Sequence, residues 1–301
     1  MNNQFNDQPL VSIIMNCYNG ETYLQESIKC VLSQTYENWE LIFWDNRSKD
    51  KSAEIFKGYE DKRFKYFYAD KHTTLYKARN LAIEKSKGNF IAFLDTDDLW
   101  DENKLQLQMH YFSNPEVGVV YSNCWIIKKN IKNKKIYISK KLPSGKIFDQ
   151  LIDNYNVGIS TTVIRKKFYL KLTQKFDERF SIIGDSDLFM RLSKICLFET
   201  VQRPLASYRL HDKNLSKLSK GKELEESELW LKENKLNLNE LQIKKIQKKV
   251  DNMKFVNYKI EGRYKECIRM LFNPKKNIFN FKNLILFFAP PVLLKKLLWF
   301  Q

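Results

Sequence analysis

The chain has 301 residues, 43% of them hydrophobic, with 21 Phe and 15 Tyr, which excludes a disordered polypeptide and suits one large domain or two ordinary ones. Lys and Arg number 52 against 35 Asp and Glu, for a formal charge of +17. The five cysteines are scattered, with no CxxC or Cys/His cluster, so they read as reduced thiols of a cytosolic protein. Met1 to Pro9 is polar, and the apolar run Val11 to Met15 is too short for a signal-peptide core, so no secretory leader is expected.

The first 120 residues alternate short apolar runs with helical spacing. Val11 to Asn16 predicts a buried strand, broken by Gly20. Glu21 to Gln34 predicts a helix, with Leu24, Ile28, Val31 and Leu32 on one face. Trp39 to Trp44 predicts a second strand, followed by the turn Asp45-Asn46-Arg47-Ser48. Lys51 to Gly58 predicts a helix, Phe64 to Tyr68 a third strand, and Thr74 to Ser86 an amphipathic helix stopped by Gly88. Phe90 to Leu94 predicts a fourth buried strand. This order implies an α/β domain built on a mostly parallel, Rossmann-like sheet with helices on both faces. Ligands of such sheets sit beyond the carboxyl ends of the strands, which here lead into residues 16–19, 45–46 and 95–98.

Residues 117–145 read as further strands around a Lys-rich turn, Lys128 to Lys135. Phe148 to Asn154, Lys166 to Leu172 and Asp187 to Lys194 read as short helices, and Glu223 to Val250 as one long charged helix. The change in texture places a boundary near 215–222, giving a domain 1–218 with halves of about 9–115 and 116–218, and a basic helical region 219–301. Residues 201–301 hold 22 Lys/Arg against 10 Asp/Glu. That excess reads either as attraction to an anionic surface or as solvated helix faces. In the tail 278–301, Leu284 to Leu294 is interrupted by Pro290-Pro291 and is too short to span a bilayer. Lys282, Lys295 and Lys296 flank it, and Trp299 and Phe300 close it, which suits a segment lying in a membrane interface. The alternative is a helix packed on protein, including a second subunit.

Asp95-Thr96-Asp97-Asp98 sets three carboxylates in four positions at a strand end. Charges this close repel, and a hard divalent cation, which prefers oxygen ligands, relieves them. Such an ion can also neutralise a leaving diphosphate. The alternative is a solvated turn or a helix cap.

Val11 to Gly20 with Gln34-Thr35-Tyr36, Trp39 to Asn46 with Ser48 and Asp50, and Lys77-Ala78-Arg79-Asn80 through Gly88 to Asp98 together resemble family-two glycosyltransferases of the GT-A fold. The resemblance runs from about residue 9 to 215. It implies inverting transfer from a nucleotide-diphosphate sugar, UDP-linked by preference, to a glycan or lipid-linked saccharide of a bacterial surface polysaccharide. It also implies a Mg2+ or Mn2+ cofactor. Tyr18 then contacts the base through its ring and Asp45 through a base N–H. Arg79 lies near the base or diphosphate, and Asp95 approaches the ribose. Asn19, Glu21, Asn46 and Thr96 complete the nucleotide-sugar contacts, although Asn46 stands where a second Asp is common. Asp97 ligates the metal, with Asp98 behind it.

Phe180 to Leu192 resembles the family's acceptor-side segment, with Gly184 in place of the usual Glu and Asp185 retained. By this match Asp185 is the base that takes the acceptor hydroxyl's proton. Its alternative is capping a helix that begins near Asp187, itself the fallback base. Tyr208-Arg209-Leu210-His211 resembles the segment whose His meets the metal or diphosphate, with Arg209 as support. The processive Gln-x-x-Arg-Trp motif is absent, so single-sugar addition is expected. Location on the inner face of the cytoplasmic membrane follows from the same resemblance and the basic tail. A nucleic-acid partner is not expected, because the aromatics form no basic stacking strip. A sugar nucleotidyltransferase would need a Gly-rich, cationic loop after the first strand, and residues 16–20 contain one Gly and no cation.

Overall fold

A computed structural model describes residues 8–128, 134–214, 220–273 and 286–288. The chain divides into two units, 1–211 and 212–301. In the first, apolar runs too short for helices become strands. β1 (Val11–Cys17), β2 (Trp39–Asp45), β3 (Phe64–Tyr68) and β4 (Phe90–Phe93) lie in the order β3-β2-β1-β4, all parallel. Between them run α1 (Leu24–Leu32), α2 (Ser52–Lys57) and α3 (Leu75–Glu84).

The period-two alternation of the strands sorts their side chains. Val11, Ile13, Met15 and Cys17 of β1 and Trp39, Leu41 and Phe43 of β2 join Leu24, Ile28 and Val31 of α1 and Phe56 of α2 in one cluster. Ile14, Ile42 and Phe93 are equally buried on the opposite face, the side on which α3 packs against β1 and β2. Full burial of one such side chain contributes roughly 1.5–3 kcal/mol, so both faces of β1 and β2 hold the strands in the interior of the sheet. Thr74 caps α3 through a hydrogen bond from the Lys77 backbone N–H.

The second half of the sheet is mixed. β4 pairs antiparallel with β8 (Val163–Arg165), β8 with β6 (Val117–Ile127), and β6 runs parallel to β9 (Leu197–Arg209). The two-residue β5 (Leu99–Trp100) pairs antiparallel with β9, and β7 (Lys134–Ile136) forms a hairpin with β6. The expected parallel order therefore holds for β1 to β4, and the return strands reverse it. β9 escapes a reading by periodicity because Pro204, which cannot donate to a ladder, sits where its register with β6 shifts. α4 (Lys104–Met109), α5 (Phe148–Asp153), α6 (Lys166–Lys171) and α7 (Gly184–Ser193) complete the unit.

The second unit carries α8 (Lys220–Asn234), α9 (Glu240–Ile260) and α10 (Tyr264–Leu271). The single long helix expected over 223–250 is two helices. The chain leaves α8 through a short 3-10 turn, and Asn239 restarts it with a reciprocal capping box to Gln242. Phe255, Cys267, Met270 and Leu271 form this unit's core, joined by Leu286 and Phe287. Apart from 286–288, the expected interfacial tail 278–301 lies outside the described residues. No helix among the described residues is long and apolar enough to cross a membrane.

Candidate active site

The carboxyl ends of β1 and β2 are level, with Cys17 opposite Asp45, while β4 ends opposite Ile14, so that its chain runs on beside the end of β1 into the acidic turn. The loops beyond β1 and β2 are therefore neighbours, and they zip together. Asn19 N–H donates to Ser48 Oγ (3.0 Å), and Lys49 N–H to Asn19 Oδ1 (2.8 Å). Gly20 N–H donates to Ser52 Oγ (2.9 Å), Glu21 N–H to Asp50 Oδ2 (2.9 Å), and Lys51 N–H to Glu21 Oε2 (2.9 Å). Asn19 and Arg47 take left-handed backbone angles, φ 54° and 74°. Gly20 is required for space, since a Cβ there would stand 2.8 Å from Thr96 Oγ1.

Asp45 is fully buried. It accepts from the Ser48 N–H (2.7 Å) and the Tyr66 hydroxyl (2.8 Å). Burial, with the Asp45 carboxylate beside it, raises the Tyr66 pKa. Asn46 turns its amide onto Thr73, donating to its carbonyl (2.9 Å) and accepting from its N–H (3.1 Å). Its own carbonyl lies 2.9 Å from His72 Nδ1. Asn46 thus holds the loop that brings His72 against the half-exposed ring of Tyr18, with centroids 4.2 Å apart.

The acidic turn is held from four sides. Arg79, buried on α3, pairs with Asp95 Oδ1 at 2.8 Å. Ser27 of α1 lies 2.8 Å from the carbonyls of Thr96 and Asp98. Asp98 is buried and accepts from Ser160 Oγ (2.6 Å) and the Arg209 N–H (3.1 Å). Arg209 Nε donates to the Asp97 carbonyl (3.0 Å), while its Nη2 reaches Glu26 at 2.9 Å. The end of β9 so fixed carries His211, whose Nε2 lies 2.8 Å from Asp97 Oδ2. Desolvation raises the pKa of Asp97, with Asp95 adding to it and His211 opposing. Desolvation raises Asp98 further, with the charges of Asp97 and Asp95 reinforcing it.

Among the described residues no group of three or more His, Cys, Asp or Glu is arranged to hold a metal by itself. Asp97 and His211 supply two adjacent donors beside the carboxylates of Asp95 and Asp98, which fits a divalent ion that takes its remaining ligands from a diphosphate.

Asp185 lies in the first turn of α7, which begins at Gly184 with Ile183 as its cap residue. The reading of Asp185 as a cap for a helix starting near Asp187 is therefore corrected. Asp185 is half-buried and its Oδ1 accepts from the Ser186 N–H (2.8 Å). The Tyr76 hydroxyl stands 3.5 Å from the same oxygen and donates to the Ile182 carbonyl at 2.9 Å. Desolvation raises the Asp185 pKa, and the Arg79 guanidinium pulls it back. Asp187, the fallback, is buried and paired with Arg191 at 2.6 Å.

Tyr76 is a residue that sequence reasoning passed over. A Cβ at Gly184 would stand 2.5 Å from its ring, so the glycine in place of the usual Glu leaves room for an aromatic from α3. Ser27, Ser160, Tyr66 and His72 were also passed over. They lie far in sequence from the motifs they support, and nothing in local patterning marks them.

The mixed α/β fold is that of the GT-A glycosyltransferases. Its solved neighbours include Staphylococcus aureus TarS 1-349 in complex with UDP-GlcNAc, at a TM-score of 0.64 and 17% identity over 81% of this chain and 72% of that one. Another is the mannosyltransferase PcManGT from Pyrobaculum calidifontis in complex with GDP-Man and Mn2+, at a TM-score of 0.56 and 14% identity over 75% and 63%. Residues 12–173 match glycosyl transferase family 2, and the chain belongs to that family. It is 36% identical over 158 residues to the Escherichia coli UDP-Glc:alpha-D-GlcNAc-diphosphoundecaprenol beta-1,3-glucosyltransferase WfgD, a match covering 52% of this chain and 61% of WfgD. The chain thus spans about three fifths of that relative's length.

Proposed function

We propose that the protein is an inverting glycosyltransferase. It moves one sugar from a nucleoside diphosphate sugar, UDP-linked by preference, to a hydroxyl of a glycan or lipid-linked saccharide. The observation that carries this reading is Arg79, which ion-pairs with Asp95 of the acidic turn and also acts on Asp185 from across the site. The donor side and a carboxylate base therefore share one buried cation. The donor bound in TarS and the acceptor named for WfgD support the substrate classes.

In the reaction, Asp185 takes the proton of the acceptor hydroxyl as that oxygen bonds to the anomeric carbon. The bond from that carbon to the diphosphate oxygen breaks on the opposite face, inverting the centre. Tyr18 and Asp45 hold the base, Asp95 the ribose, and Asn19, Glu21 and Thr96 the walls of the donor cleft. Asn46, Asp98 and Arg209 position these groups. Asp97 and His211 would hold Mg2+ or Mn2+, which when bound neutralises the departing diphosphate. Residues 1–218 form the catalytic part, and the basic region 219–301 brings it to an anionic membrane on the cytoplasmic side, as surface-polysaccharide assembly requires.

A thermal-shift screen of nucleotide sugars with Mn2+ tests the donor class, since a ligand of the folded state raises the melting temperature. Asp185→Asn should keep that shift while transfer falls by at least about 100-fold. Near-normal turnover of the variant would remove Asp185 as the base.

A further inference from the structure

Among the described residues other than glycine, Asn19 and Arg47 alone take left-handed backbone angles, φ 54° and 74°. Asparagine suits that region, and Asn19 Oδ1 gains a nearby bond from the Lys49 N–H at 2.8 Å. Arginine does not suit it, because its β-carbon crowds the backbone. The Arg47 side chain is exposed, and its guanidinium lies over the ring of Tyr68, 4.9 Å from the centroid. No carboxylate among the described residues pairs with it. An exposed cation–π contact returns less than a left-handed arginine costs, and glycine would avoid the cost. Strain kept at the rim of a ligand site points to a side chain that the site uses.

Arg47 stands at that rim. The residue before it, Asn46, bonds through its carbonyl to His72 Nδ1 at 2.9 Å, and His72 packs on Tyr18 with ring centroids 4.2 Å apart. The residue after it, Ser48, accepts at 3.0 Å from the N–H of Asn19, the neighbour of Tyr18. Tyr68, the last residue of β3, is paired in register with Asp45, the last residue of β2. Tyr18 and Tyr68 are 52% and 49% exposed, so two open aromatic rings and one cation gather beyond β1, β2 and β3. Neighbouring strands lie about 4.8 Å apart, which sets β2 about 10 Å from β4. A donor with its diphosphate at Asp97 and its base against Tyr18 therefore turns the far edge of that base toward the loop of Arg47.

We infer that Arg47 selects the nucleotide, its guanidinium donating a hydrogen bond to O4 of a uracil. A guanidinium offers only donors. Uracil presents an acceptor at that edge, whereas cytosine presents an amino group there, a donor facing a donor. The phosphates are the other strong acceptors of the ligand, but they lie two strands away with Asp97 and His211. The inference rests on the glycosyltransferase reading and adds a specificity residue to it.

The test measures the binding of UDP and of CDP, each with Mn2+, to the full chain and to its Arg47→Gly and Arg47→Asn variants by titration calorimetry. Both replacements accept the left-handed angle and delete the guanidinium. The wild type should bind UDP more tightly than CDP. Both variants should lose about tenfold or more in UDP affinity, as for a hydrogen bond to a charged group. Their CDP affinity should fall less, and their melting temperatures should be no lower than that of the wild type. Unchanged affinities, or a loss accompanied by a lowered melting temperature, would assign Arg47 to the fold alone and overturn the inference. Equal losses for UDP and CDP also overturn it, since they report general attraction of an anion. So does a loss confined to Arg47→Gly, which reports a loosened loop, and so does a wild type that binds UDP no better than CDP. If the wild type binds neither UDP nor CDP and no nucleotide sugar raises its melting temperature, the donor reading itself fails and the Arg47 assignment falls with it.

Discussion

Asp185 owes its proposed role to two opposed effects on one carboxylate. Burial disfavours its charged form and lifts the pKa above the ordinary 3.8, while Arg79 favours the charge and limits the rise. Only the ionised form accepts a proton, so transfer should fall as pH drops through the raised pKa. The acid limb of kcat/KM should then lie above the range of a free Asp. Arg79→Gln removes the opposing charge and leaves that of Asp95, and both changes push the Asp185 pKa upward. The limb of the variant should move to higher pH in a pH–rate profile, and an unmoved limb would show that Arg79 does not govern Asp185. Asp187, two positions on, is committed to Arg191 on the next turn of its own helix. Neighbours in sequence are separated in function by the direction in which the helix points them.

At the scale of elements, the site depends on pairs that close only when helices and strands are packed. Gly184 at the start of α7 and Tyr76 on α3 are one such pair. The ring of Tyr76 is 2% exposed and occupies the space a side chain at 184 would need. Gly184→Ala must displace an aromatic ring, and overpacking of this kind costs about 1–3 kcal/mol. Calorimetry should show a melting temperature lower by a few degrees, together with weakened transfer, because Tyr76 is seated beside Asp185. An unchanged melting point would mean the ring yields freely. The β9 segment is a second case. Its bulge at Pro204 disguises it as a sequence pattern, yet its end delivers Arg209 and His211 to the acidic turn.

On the scale of the molecule, more than half of the excess positive charge lies in the second unit. Its core draws in Leu286 and Phe287, while Phe288 beside them is 75% exposed. A basic unit with an exposed aromatic fits an anionic bilayer surface, where each Lys or Arg near the surface adds about 1 kcal/mol. The full chain should co-sediment with vesicles containing phosphatidylglycerol, and rising salt should release it. Phe288→Glu should weaken binding and change the melting temperature little, since that side chain is mostly exposed and touches the core only through the edge of Phe287. Equal binding to neutral vesicles at all salt concentrations would contradict the electrostatic account.

Much of the donor half was legible in the amino-acid order because it is local. Short buried runs can only be strands, the polar residues at their ends are contiguous, and Asp45, Arg79 and Asp95 to Asp98 sit in recurring order at recurring spacing. Family membership followed from that order. What the order leaves open is anything decided by contacts across long stretches of chain. The antiparallel turn of the sheet, the seating of Tyr76 in the space of Gly184 and the commitment of Asp187 to Arg191 all depend on which surfaces meet. The acidic turn shows the division most clearly. Its three carboxylates are consecutive enough to be read in the sequence, and their differing surroundings come from partners 16 to 114 positions away, Arg79 for Asp95, Ser160 and Arg209 for Asp98, and His211 for Asp97. Charge repulsion among them is a property of the sequence, but the burial and hydrogen bonds that set each carboxylate apart belong to the folded chain.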